Sequence, residues 1–166
     1  MLKKNEQYKI VDNFLSVKEY QDTWNFIQNA DYKVGGTEHE NGVPVGMTSE
    51  LAIHANPFFP KQVNGIPLYR INVNYYGPRE TTVFHYDNND PEAVTLVYFP
   101  CPTYGLDEGG HVELVIDKEI VGVRSVTNRL LAYKSNILHR ATPFNTHQRF
   151  TLALKYSRNP EDTQRQ

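Results

Sequence analysis

Between Ser16 and Ala30 the apolar residues Val17, Tyr20, Trp24 and Ile27 recur at helical spacing in "SVKEYQDTWNFIQNA". The spacing predicts an amphipathic helix with those four as its buried stripe, and reads Trp24 as core. Ser16 followed three residues later by Glu19 forms a capping box that fixes the helix start. A short strand-like run, "YKIVDNFL", precedes it. From Ile66 onward the period changes to two. The runs "PLYRINVNYYG", "TTVFHYD", "AVTLVYFP", "HVELVID", "IVGVRSV", "RLLAYKS", "ILHRATPF" and "RFTLALKYS" follow one another with turn residues between them and no intervening helix. That texture predicts an all-β sandwich or barrel carrying one N-terminal helix.

Between the helix and the strands, "KVGGTEHENGVPVGMTSE" is rich in glycine and polar residues. It reads as a mobile loop or a hairpin with a flexible tip. The tail "RNPEDTQRQ" reads as disordered. The expected organisation is a single domain over 1–166: a helix and loop region at 1–65, a β core at 66–157 and a flexible tail at 158–166.

Composition narrows the partners. Lys plus Arg (17) nearly balances Asp plus Glu (19) and there is no basic run, so no nucleic acid is expected. Cys101 is the sole cysteine, which excludes an internal disulfide and any CxxC site and reads as a small buried residue. The start of the chain lacks the apolar stretch of a signal peptide, and no run approaches the roughly 20 apolar residues of a membrane span. A soluble, cytoplasmic protein with no membrane partner is expected.

Candidate chemistry centres on "FHYDN". On an extended segment His85 and Asp87 point to the same face, where both can reach one metal ion. A third ligand must come from elsewhere. His39 sits in the glycine-rich loop, His54 and His147 read as loop or edge residues, and His111 opens a strand after "EGG". His139 has the more informative context, because Arg149 follows it by ten residues and opens "RFTLALKY". In that strand Phe150, Leu152, Leu154 and Tyr156 share one face, and Arg149, Thr151 and Ala153 share the other. With the apolar set packed outward, Arg149 points inward, where a buried cation needs an anion.

His85, Asp87, His139 and Arg149, in that order and spacing, resemble the motif of the iron(II)- and 2-oxoglutarate-dependent dioxygenases, in particular the prolyl 4-hydroxylase-like branch. The resemblance runs from about Tyr69 to Tyr156 and takes in "EGGHVEL", while "IVDNFLS" and its helix look like the family's N-terminal support helix. It implies a double-stranded β-helix (jelly roll, cupin-like), with iron on His85, Asp87 and His139. The remote carboxylate of 2-oxoglutarate would lie on Arg149, and Tyr76 and Thr151 would assist. It further implies O2 as co-substrate, ascorbate as reductant, and hydroxylation of a prolyl residue in a peptide or protein with release of succinate and CO2. Tyr76 also reads simply as a packed strand aromatic. Phe99 stands where several prolyl hydroxylases carry a second co-substrate tyrosine, which places more of the recognition on Arg149. The loop Gly35–Glu50 corresponds to a region that encloses the substrate in those enzymes.

Three other functions share parts of this pattern. A jelly roll can be a non-catalytic binding module, but such a module has no need of a buried cation ten residues past its third ligand. Nucleic-acid demethylases of the same class carry Arg-x-Asn-x-x-x-Arg after the last histidine, whereas this chain has Thr151 and Lys155 at those places. A hydroxylase of a free amino acid or other small molecule fits the motif as well as a prolyl hydroxylase does.

Overall fold

The computed structural model describes residues 2–3, 6–34, 46–52 and 58–160. Its frame is a large antiparallel sheet. The main path runs β1 (Tyr8–Val11), β9 (Arg129–Lys134), β6 (Val94–Phe99), β11 (Arg149–Tyr156), β5 (Ile66–Tyr76), β3 (Met47–Glu50) and β2 (Lys33–Val34), and β4 (Gln62–Val63) pairs separately with β5. A second sheet of three strands, β10 (His139–Ala141), β7 (His111–Ile116) and β8 (Glu119–Arg124), faces it. This is the double-stranded β-helix that the resemblance implies.

The period-two pattern sorts the side chains into layers. On β6, Val94, Leu96 and Tyr98 join Leu130 and Ala132 of β9 and Leu152, Leu154 and Tyr156 of β11 in an outer core. Helix α1 (Val17–Gln28) covers that core with Tyr20, Trp24 and Ile27. Trp24 packs edge-on against Phe150, with ring centroids 5.6 Å apart. The alternate residues Val97, Phe99, Leu131 and Tyr133 face Val112, Leu114 and Val123 of the small sheet and form an inner core. At one end of this inter-sheet space the residues change from apolar to polar.

Helix α1 starts as expected: Ser16 accepts from the Glu19 amide and Glu19 accepts from the Ser16 amide. Val17 does not join the buried stripe; it is 74% exposed. The capping box that fixes the first turn lies at the surface, and the buried face begins a turn later, with Thr23 and Ile27 its most enclosed residues.

"TTVFHYD" also departs from expectation, since it forms no strand and its β pairing with the small sheet is an isolated bridge, His85 with His139. The Thr82 hydroxyl accepts from the Ala141 amide at 2.9 Å. A side chain thereby takes a donor that a continuing ladder would give to a backbone carbonyl. The glycine-rich segment is a hairpin at its base, with Lys33 opposite Thr48 and Val34 opposite Met47; residues 35–45, and with them His39 and most of the expected closing loop, lie outside the described residues, as does His54.

Gly110 in "EGGHVEL" has φ +74, and a Cβ there would sit 2.1 Å from the Phe144 ring. Phe144 is buried, so the ring cannot easily retreat. Gly110→Ala combines left-handed strain with overpacking, and we expect a loss of roughly 2–5 kcal/mol in unfolding free energy. Urea denaturation checks this; a loss below about 1 kcal/mol would show that the site relaxes freely.

Candidate metal and co-substrate site

His85 and His139 are set by the same local device. The Nδ1 of His85 lies 3.0 Å from the Val83 carbonyl, and that of His139 lies 2.9 Å from the Ile137 carbonyl. A carbonyl only accepts, so each Nδ1 carries a proton and each ring turns its Nε2 towards the cluster, where in the neutral ring that atom offers a lone pair. Burial pushes the His139 imidazole down to about 4, which keeps it neutral near pH 7. The paired backbone bonds between His85 and His139, 2.9 and 3.0 Å, hold the two rings together with centroids 4.4 Å apart.

Asp87 completes the cluster. Its amide donates to the Ser135 carbonyl at 3.0 Å, and its side chain is 4% exposed. Oδ2 accepts from Thr95 Oγ1 at 2.7 Å and from Tyr133 OH at 3.1 Å, and lies 3.5 Å from His139 Nε2. Oδ1 is 3.9 Å from His85 Nε2 and 2.5 Å from Lys155 Nζ. Burial works against the ionised carboxylate, but its neighbours, Lys155 foremost, outweigh it and hold Asp87 well below the usual carboxylate range. Ligand atoms of His85, Asp87 and His139 all fall within 4.8 Å of one another. Two imidazole nitrogens and one carboxylate gathered on one side are the donor set of a facial triad, and they fit Fe(II) with coordination positions left open.

The same cavity is lined by Arg149, Tyr76 and Thr151. Arg149 has no exposed surface, and its Nε, Nη1 and Nη2 are all without a hydrogen-bond partner. Its guanidinium sits 5.9 Å from the ring centroids of both Tyr76 and Phe99. Burial works against its charge. Tyr76 is directly opposite Arg149 across the β5–β11 pairing, and Thr151 is opposite Asn74. The residues named from the sequence therefore line one cavity. His111, on β7, lies outside the three-residue cluster, and His147 is at the surface with Glu108.

Thr95, Tyr133 and Lys155 were not legible as partners of Asp87, nor were Arg70 and Asn72 as lining residues. One signal was available for Lys155: it continues the Arg149, Thr151, Ala153 series by one more alternate position.

No family model and no curated protein matches the sequence. Solved structures do match the fold. A prolyl-4-hydroxylase from Pseudomonas putida superposes with a TM-score of 0.74 at 14% identity, covering 93% of this chain and 94% of that one. A prolyl hydroxylase from Trichoplax adhaerens, in complex with a hypoxia inducible factor peptide fragment, gives 0.70 at 18% identity, covering 95% and 86%. HygX from Streptomyces hygroscopicus, with nickel, 2-oxoglutarate and hygromycin B bound, gives 0.71 at 11% identity, covering 91% and 82%. The chain thus has the fold of 2-oxoglutarate oxygenases, prolyl hydroxylases among them.

Proposed function

We propose that this chain is an Fe(II)- and 2-oxoglutarate-dependent dioxygenase that hydroxylates a prolyl residue in a peptide or protein. The observation that carries the class is Arg149: a fully buried guanidinium with three unpartnered nitrogens, lining the same cavity as a His-Asp-His cluster. An unpaired buried cation is costly, and a dianionic co-substrate with one carboxylate on Arg149 relieves that cost. The fold likeness to two prolyl hydroxylases supports the finer reading.

In this proposal His85, Asp87 and His139 hold iron, and Arg149, with Tyr76 and Thr151, binds and orients 2-oxoglutarate. With iron(II) bound, 2-oxoglutarate and O2 supply the oxidising power to convert a substrate C–H into C–OH, with release of succinate and CO2. The protein's share is positional. Val83 and Ile137 fix the imidazole tautomers, Thr95 and Tyr133 fix the carboxylate, and the inner core of Val97, Val112 and Leu131 excludes water from one side of the site. A free amino acid is the second reading, and one observation favours it: the polar rows of the cavity end in two cations, Arg70 and Lys155, which suit a small acid.

Anaerobic addition of Fe(II) and 2-oxoglutarate to the full chain should give a weak visible metal-to-ligand charge-transfer band. Admission of O2 with ascorbate as reductant should then convert 2-oxoglutarate to succinate. A protein that binds neither, or that binds metal without forming the band, is a binding module rather than this enzyme.

A further inference from the structure

Beyond Arg149, the wall formed by β5 and β11 carries a second set of groups that the proposed co-substrate does not use. The inward rows are paired in register: Arg149 with Tyr76, Thr151 with Asn74, Ala153 with Asn72, and Lys155 with Arg70. Like charges directly opposite on neighbouring strands destabilise a sheet, so Lys155 facing Arg70 calls for a compensating anion. The described residues supply little. Arg70 comes within 4.0 Å of Glu50, whose side chain is 67% exposed, and such a contact is worth little. Its Nε is buried without a hydrogen-bond partner. Lys155 leans on Oδ1 of Asp87, a residue that would also hold the metal.

Asn72 lies between these cations and the deep end of the cavity and is 6% exposed. Its Nδ2 donates to Thr48 Oγ1 at 3.3 Å, but its Oδ1 has no partner. A buried amide oxygen left open beside a cavity calls for a donor.

Charge counting points the same way. Among the described lining residues Arg70, Arg149 and Lys155 are cationic, Asp87 is the one carboxylate, and Arg140 is offset by Glu113 at 2.7 Å. A divalent ion raises the local charge by two and a dianionic co-substrate lowers it by two. The remaining surplus, three cations against one carboxylate, is two positive charges.

We infer that the prime substrate is anionic: it presents a carboxylate to Arg70 and Lys155 and a hydrogen-bond donor to Asn72 Oδ1. This rests on the dioxygenase reading above and sharpens its substrate class. The carboxylate comes either from the target amino acid itself or from an acidic residue beside the target in a peptide.

The test loads the full chain with Mn(II) and saturating 2-oxoglutarate without O2, and measures binding from the paramagnetic relaxation of ligand protons. Three matched pairs serve as probes: acetate against acetamide, L-proline against L-prolinamide, and the capped peptides acetyl-Gly-Pro-Glu-amide against acetyl-Gly-Pro-Gln-amide. In at least one pair the acid should bind ten-fold or more tighter than its neutral partner. That preference should fall below three-fold in Arg70→Gln, with Lys155→Met as the second variant. Selection in the proline pair assigns the carboxylate to a free amino acid, and selection in the peptide pair assigns it to a neighbouring residue. If no acid is preferred, or if the preference survives in both variants, the anionic subsite is wrong. The charge-transfer band of the unmodified protein separates the two failures: band present with no acid preference overturns only this inference, and band absent overturns the site beneath it.

Discussion

His85→Ala, Asp87→Ala and His139→Ala are each expected to abolish succinate formation and to weaken Fe(II) binding by more than about 100-fold, beyond the loss that follows from disturbing a ligand's hydrogen-bond partner. The expectation rests on three ligand atoms lying within 4.8 Å, two of them imidazole nitrogens whose opposite nitrogens are tied to backbone carbonyls. Removing any one leaves two ligands for an ion that prefers six. The three variants should differ in their folding. His85 is the most exposed of the three, so His85→Ala should leave stability nearly unchanged. Asp87→Ala removes the acceptor on which Thr95, Tyr133 and Lys155 converge, leaves two buried hydroxyls without it and strands the partly buried Lys155 ammonium, so it should unfold at lower urea. His111→Ala is the control and should keep its metal. Metal titration of the four variants checks the set; loss of iron in His111→Ala with retention in His139→Ala would reassign the third ligand.

How much of this is legible in the sequence follows from the physics of each signal. Alternation along "RFTLALKY" put Arg149 on the inner face without any knowledge of what lay opposite, because side-chain direction in a strand is a local property. The capping box at Ser16 and Glu19 is equally local, and the structure shows it. Tertiary contacts were not legible. Nothing near Asp87 in the sequence indicates that Thr95, 8 residues away, and Tyr133, 46 residues away, donate to its Oδ2, because those contacts are fixed by the β6–β9 register of Thr95 with Tyr133. The β-branched and aromatic residues of "TTVFHYD" predict a strand, yet such propensity gives way to context, here a threonine hydroxyl taking up a backbone donor. Val17 fitted the helical period, but period alone does not say where the partner surface begins. The least legible feature was the second cationic pair. Arg70 and Lys155 are 85 positions apart in the chain and meet only through the β5–β11 register, one step before a bulge shifts it.

Arg149 carries the prediction with the most distinctive sign, because its effects on binding and on folding should be opposite. Arg149→Ala leaves a co-substrate carboxylate unpaired in a dry pocket, with an expected loss of about 2–5 kcal/mol, or roughly 30-fold to several-thousand-fold, in 2-oxoglutarate affinity. Arg149→Lys should keep part of the affinity, since the charge remains while the bidentate geometry is lost. Without ligand the balance reverses. Three guanidinium nitrogens have no hydrogen-bond partner there, and the contacts with the Tyr76 and Phe99 rings, both 5.9 Å from the guanidinium, offset only part of the desolvation. Replacing a buried, poorly compensated charge by an apolar side chain of similar length is often neutral or stabilising. Arg149→Met should therefore melt no lower than the unmodified protein when neither metal nor 2-oxoglutarate is present, and should gain nothing from 2-oxoglutarate when metal is added, whereas the unmodified protein should gain with rising ligand concentration. Thermal melts across a 2-oxoglutarate series decide it. If Arg149→Met binds 2-oxoglutarate normally, the anion that Arg149 holds is not the co-substrate; if it unfolds the ligand-free protein, the guanidinium is a core element with partners of its own.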